Sequence, residues 1–216
     1  MVDLAELAHI SALSLFVSGS GTLLAAAIGV PLGAYIALKE FAGRELVKAF
    51  TYTLYGFPPV LAGLLIYMTL SNEGPLGALH WLFTPAGMIL AQTLLITPLI
   101  TGVTITAVSA VDREVRDTAR SLGAEGRSLA WTILGEARLG VLTAIMVGFG
   151  RAMSEVGTVL IVGGNIRGDT RVLTTAIYSD VIAGEFETAI ALGLVLLSIS
   201  FVIFFLLFRL QGESRD

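Results

Sequence analysis

The chain has 216 residues, 55% of them apolar and only 14% charged, with a formal net charge of -4 and a mean hydropathy of +0.85. That excess of apolar surface suits a lipid bilayer and not a water-soluble globule. The lack of cysteine excludes disulfides, thiolate metal sites and cysteine nucleophiles, and two lysines within a net negative charge argue against nucleic acid as a partner.

A membrane helix needs about 20 largely apolar residues. The opening segment, MVDLAELAHI, carries acidic residues and no basic ones, which fits neither a cleavable signal peptide nor a cytoplasmic anchor. Ile10 to Leu38 follows without a formal charge and predicts a first span. Within it Gly21, Ala25, Gly29 and Gly33 form a stripe of small residues suited to close helix packing. Ala49 to Asn72 predicts the second span; Pro58 and Pro59 interrupt its start and either break it or kink it. Gly74 to Val111 is also uncharged, but Gly74, Pro75 and Gly77 are turn formers. The third helix is therefore expected to begin near Thr84, with Pro85 in its first turn. Thr93, Thr97, Thr101 and Thr104 share one side of that helix. Two readings stand for this stripe: hydroxyls lining a polar path, or hydroxyls bonded to their own backbone at a helix contact.

Asp112 to Arg138, DREVRDTARSLGAEGRSLAWTILGEAR, is the long polar stretch of the chain. Val115, Ala119 and Leu122 fall on one side of a short helix that Gly123 ends, and Gly126 interrupts again before a second helical run. A helix, a glycine break and a helix between two spans can dock into a groove of a partner protein; a solvated loop is the alternative. Leu139 to about Ile166 predicts the fourth span, apolar except for Arg151 and Glu155, which stand four residues apart and can pair on one helix face. A lone charge at mid-membrane costs about 3 kcal/mol on insertion scales, so both should face protein or water. They read as a gate or pore-lining pair, or as a clamp between helices. GGNIRGDTR then forms a turn with Arg167 and Arg171, TTAIYSDVIAGEF suggests a short interfacial helix, and Thr188 to Phe208 predicts the fifth span.

Five spans place the termini on opposite sides. With the N-terminus outside, Lys39, Arg44, Lys48, Arg113, Arg116, Arg120, Arg127, Arg138, Arg209 and Arg215 lie inside, against Arg167 and Arg171 outside. That asymmetry favours the N-terminus out and the C-terminus in. Neither lysine follows a glycine-rich turn and no G-x-x-x-x-G-K-[ST] phosphate loop occurs, so ATP could only be hydrolysed by another chain. Five helices are also few to enclose a pathway, which favours a symmetric dimer with the pore between copies.

The segment DTARSLGAEGRSLAWTI resembles the loop with which permeases of ABC importers engage their ATPase, usually written EAA, three residues, G, nine residues, I-x-L-P. Asp117, Thr118 and Ala119 stand at the EAA triplet, Gly123 at the glycine and Ile133 at the isoleucine; Gly135 and Glu136 depart from the leucine and proline. Two further stretches, Gly56 to Gly77 and Gly150 to Leu196, resemble the permeases of molybdate, tungstate and sulfate importers, and within them GLLIYMTLSNEGPLG and VGGNIRGDTRVLTTAI resemble the tungstate type most. The resemblance implies an all-α membrane protein of the type I importer permease fold, a single domain over residues 1–216 with its coupling loop at about 112–138. It implies a location in a prokaryotic cytoplasmic membrane, a second copy of the chain, two cytoplasmic ATPase subunits that hold ATP and Mg, and an extracytoplasmic substrate-binding protein. Asp117, Ala119, Arg120, Gly123, Ala124 and Arg127 are then expected to engage the ATPase, and Thr97, Thr101, Thr104, Arg151 and Glu155 to form a pore or gate. A secondary anion transporter or channel is the alternative of another class. An intramembrane enzyme fits poorly, because one buried Glu and one buried Arg offer no nucleophile and base.

Overall fold

A computed structural model describes residues 3–213, and all regular structure among them is helical. The helices are α1 (Leu4–Leu38), α2 (Arg44–Thr53), α3 (Pro59–Leu70), α4 (Pro85–Ser109), α5 (Arg113–Ser121), α6 (Gly126–Glu136), α7 (Arg138–Met153), α8 (Gly157–Gly163), α9 (Leu173–Ile182) and α10 (Phe186–Glu213). Three of them, α1, α4 and α10, are each long and apolar enough to cross a bilayer, and two bent pairs raise the number of candidate spans to five. One cation assigned to the inner side, Arg215, lies outside the described residues.

Two of the expected spans are not continuous helices. The second is interrupted between Gly56 and Pro59. Neither Pro58 nor Pro59 has an N–H to donate, so the ladder stops there and Pro59 opens the new helix at its first position. The fourth was expected to run unbroken to about Ile166, but α7 ends at Met153 and α8 begins at Gly157. At 1.5 Å per residue α7 reaches only about 24 Å, short of a hydrocarbon core of about 30 Å. No proline marks this break in the sequence; its causes lie in side-chain bonds described below. The first span also begins earlier than expected, at Leu4. By contrast α4 starts at Pro85, with Thr84 Oγ1 accepting from the Gly87 N–H at 3.4 Å, and the residues after GGNIRGDTR form the short helix α9.

Packing divides the chain into two compact units. One comprises residues 1–23, 57–95 and 149–216, and the other residues 24–56 and 96–148. In the first, α3 packs on α8, and α9 packs on α10. Ile10, Leu173, Ala176 and Leu192 form one buried cluster there, and Val17, Met88, Val159 and Val172 another. In the second, Ala34, Ile36, Ala37, Ile105, Val108, Ile133 and Ala137 form a core that brings α5 and α6 against the C-terminal ends of α1 and α4. Gly33 permits a close approach of α1 to α4 in this unit: a Cβ there would stand 2.5 Å from the Thr101 carbonyl oxygen. Helix association in lipid rests on such close backbone packing, because lipid tails are as apolar as leucine.

Candidate functional site

The segment from Arg113 to Glu136 folds as the glycine pattern requires. After α5, the Gly123 N–H donates to Arg120 O at 2.9 Å and the Ala124 N–H to Ala119 O at 3.0 Å. This is a Schellman closure, which needs a left-handed residue just past the helix, and Gly123 supplies it with φ 85°. Gly126, at φ 53°, turns the chain into α6.

Burial sorts the expected coupling residues into two groups. Ala119 is buried and Ala124 half-buried, while Asp117, Arg120, Gly123 and Arg127 are exposed. Asp117 and Arg120 pair loosely at 3.7 Å with both side chains in the open, which contributes little to stability. Ile133 is wholly buried in the core with Ile36, Ile105 and Val108. One expectation is corrected: Leu122 does not share the buried side of Val115 and Ala119. The helix ends at Ser121, so Leu122 occupies the cap and turns outward, 84% exposed. Trp131 on α6 is 63% exposed. Sequence reasoning left these two residues out of the coupling set; a tryptophan and a leucine within a polar loop were the available signal.

The intramembrane charges form a pair. Arg151 Nη1 donates to Glu155 Oε2 at 2.5 Å, the glutamate 3% exposed and the arginine side chain 34%. Glu155 is bound from several sides. Its Oε1 accepts from the Thr158 N–H at 2.9 Å, so it caps the first turn of α8, and its carbonyl accepts from Thr174 Oγ1 at 2.8 Å. Thr158 Oγ1 in turn donates to Pro59 O at 2.7 Å, which ties the start of α8 to the start of α3. From α4, Gln92 Nε2 donates to Ala152 O at 3.1 Å and so satisfies a carbonyl at the end of α7. The break at residues 154–156 is therefore held by partners drawn from α3, α4, α8 and α9.

The threonine stripe lies in helix contacts. Thr93 Oγ1 donates to Ile89 O and Thr101 Oγ1 to Thr97 O, each at 2.8 Å. Thr101 and Thr104 are buried. A Cβ at Gly29 would touch Thr101 Oγ1 at 3.1 Å, and one at Gly33 would meet Thr104 Cβ at 2.8 Å. The glycine stripe of α1 and the threonine stripe of α4 thus face each other. Thr97 is half-buried beside Pro98 in an apolar cleft of about 400 Å³ lined by Leu32, Tyr35 and Phe50. The cations of the 164–172 turn are also engaged: Arg171, buried, reaches Glu6 and Asp180 at 3.4 Å each, and Arg167 reaches Glu6 at 3.2 Å.

Comparison with known proteins gives this arrangement its context. The family model described as binding-protein-dependent transport system inner membrane component matches residues 29–213. A probable anion ABC transporter permease protein of Haloferax volcanii is 42% identical over 203 residues, covering 92% of this chain and 88% of the relative. The tungstate uptake system permease protein TupB of Peptoclostridium acidaminophilum is 41% identical over 201 residues, with 93% and 88% covered. The molybdenum transport system permease protein ModB of Azotobacter vinelandii is 28% identical over 213 residues, with 94% and 92% covered. Among solved structures, a bacterial ABC transporter involved in the import of the acidic polysaccharide alginate superposes with a TM-score of 0.69 at 15% identity, over 99% of this chain and 82% of that one, and so shares the fold. With a family match over residues 29–213 and helices built to span a bilayer, the chain belongs to the binding-protein-dependent transport system inner membrane components, the multi-pass permease subunits of ABC importers.

Proposed function

We propose that the chain is the permease of an ATP-driven importer for an oxyanion, and that the oxyanion is tungstate. The observation that carries the substrate is the 41% identity to a tungstate uptake permease over 93% of the chain. Molybdate is the second reading, favoured by the 28% identity to a molybdenum permease over 94% of the chain. Two copies enclose the pathway, two separate ATPase subunits bind ATP and Mg and dock on α5 and α6, and an extracytoplasmic binding protein delivers the anion. The N-terminus lies outside, as the asymmetry of Lys and Arg favours.

The geometry supports a docking role for Arg113 to Glu136: a stiff helix, a Schellman turn and a second helix present Leu122, Arg120, Arg127 and Trp131 outward while Ala119 and Ile133 anchor the segment below. Arg151 and Glu155 act as a clamp on the α7 to α8 break, because the carboxylate is already committed to Arg151 and to the Thr158 N–H. A fully free arginine at that depth would hold an anion that a transporter must release. Thr97, Thr101 and Thr104 serve the seam between α1 and α4.

The test is tungstate uptake by proteoliposomes containing the chain, its ATPase and its binding protein, with molybdate and sulfate as competitors. Uptake that requires ATP and yields to molybdate only at higher concentration is the expected result. Full-rate movement of tungstate by this chain alone, without an ATPase, would overturn the importer reading in favour of a secondary transporter or channel.

A further inference from the structure

Arg116 stands in the middle of α5, yet its guanidinium turns away from the outer surface of the loop. Its Nη2 donates to Val108 O at 2.6 Å and to Ser109 O at 3.2 Å, at the C-terminal end of α4, and its Nε is buried. The last carbonyls of a helix have few partners within it, and they carry the negative end of its dipole. Val108 O also receives the Val111 N–H, at 3.4 Å. Arg44 treats α1 in the same manner: Nε donates to Ile36 O at 2.8 Å and Nη2 to Ala37 O at 2.6 Å. Two of the cations that the sequence reads as inside charges are thus helix caps.

Beside these bonds, α5 and α6 meet the helix ends through an apolar cluster in which Val115, Leu129 and Ile133 join Ile36, Ile105 and Val108. Apolar contact sets a separation but is non-directional, so a displaced loop could roll across it. Charge-assisted bonds to two successive carbonyls restrict that roll. We propose that Arg116 is a positioning residue that makes α5 and α4 move together, so that displacement of the docking segment reaches the membrane-spanning helix; Arg44 holds the end of α1 likewise. This inference rests on the docking role proposed above for α5 and α6. Lysine, a single point of charge without the planar fork, can restore it only in part.

The chain lacks cysteine, so nitroxide labels can be placed solely at Thr106→Cys on α4 and Thr118→Cys on α5, both exposed. In the assembled transporter, with tungstate as the substrate probe, Arg116→Gln is expected to retain its ATPase on purification. Tungstate delivered per ATP should fall about five-fold, a typical size for a lost coupling interaction, and the distance distribution between the labels should broaden. Arg116→Lys should lie between wild type and Arg116→Gln in both measurements, and it carries the test alone if the glutamine variant does not fold. A wild-type transport ratio with an unbroadened distribution in either variant overturns the proposal. So does loss of the ATPase with an unbroadened distribution, which would make Arg116 a docking contact. Failure of the docking reading itself would appear separately, as a Gly123→Val variant that keeps both its ATPase and its transport.

Discussion

Replacing Gly123 by valine puts a β-branched side chain at φ 85°, in the left-handed region that glycine enters freely and other residues enter at about 1–2 kcal/mol. Nothing lies within 4 Å of a Cβ built there, so the effect is purely conformational and falls on the Schellman turn itself. At 1.4 kcal/mol per tenfold, that strain weakens any partner requiring this turn by up to about 5- to 30-fold. The assay is titration of the ATPase onto the permease in nanodiscs, with thermal unfolding of the permease as the control. Affinity should fall in the order glycine, asparagine, alanine, valine, because asparagine tolerates the left-handed region better than alanine does. The midpoint of unfolding should move little, since the turn is exposed. Wild-type affinity in Gly123→Val, or an asparagine variant weaker than valine, would refute the argument that backbone conformation at this residue shapes the docking surface.

Other outcomes follow from the same geometry. Truncating both Leu122 and Trp131 to alanine should leave stability within about 0.5 kcal/mol, as expected for surface positions, while sharply reducing retention of the ATPase; equal retention would remove them from the contact. Gly33→Val should lower stability by about 1–3 kcal/mol through overpacking against Thr101 O and Thr104, read as a lower melting temperature. Gly19→Ala, with nothing within 4 Å of its Cβ, is the neutral control. Glu155→Gln keeps an acceptor for the Thr158 N–H but leaves Arg151 without its counter-charge, so destabilisation of about 2–4 kcal/mol is expected. Adding Arg151→Met should recover part of that loss, and a double variant less stable than Glu155→Gln alone would contradict the clamp.

Much of this architecture was readable along the chain because hydropathy, charge and glycine act locally. Long uncharged stretches demand burial in lipid wherever they occur, which placed α1, α4 and α10. Pro58, Pro59 and Pro85 remove backbone donors irrespective of surroundings, which placed the bend before α3 and the start of α4. Gly123 and the isoleucine at position 133 marked the loop, whose cap and anchor the structure supplies.

What only tertiary structure decided concerns polar groups whose partners are distant or lie across a turn. The stretch from Leu139 to Ile166 contains no helix breaker of proline type, and its interruption at residues 154–156 depends on Thr174, Pro59 and Gln92, none of them neighbours in sequence. The threonines of α4 shared a face by periodicity alone, and only the folded chain sets Gly29 and Gly33 of α1 against Thr101 and Thr104. Likewise Arg44 and Arg116 count equally with every other cation in a charge tally. Only the folded chain brings each guanidinium within 2.6 Å of a helix-end carbonyl. In a low-dielectric setting an unpaired carbonyl is costly enough that such a partner becomes part of the structure.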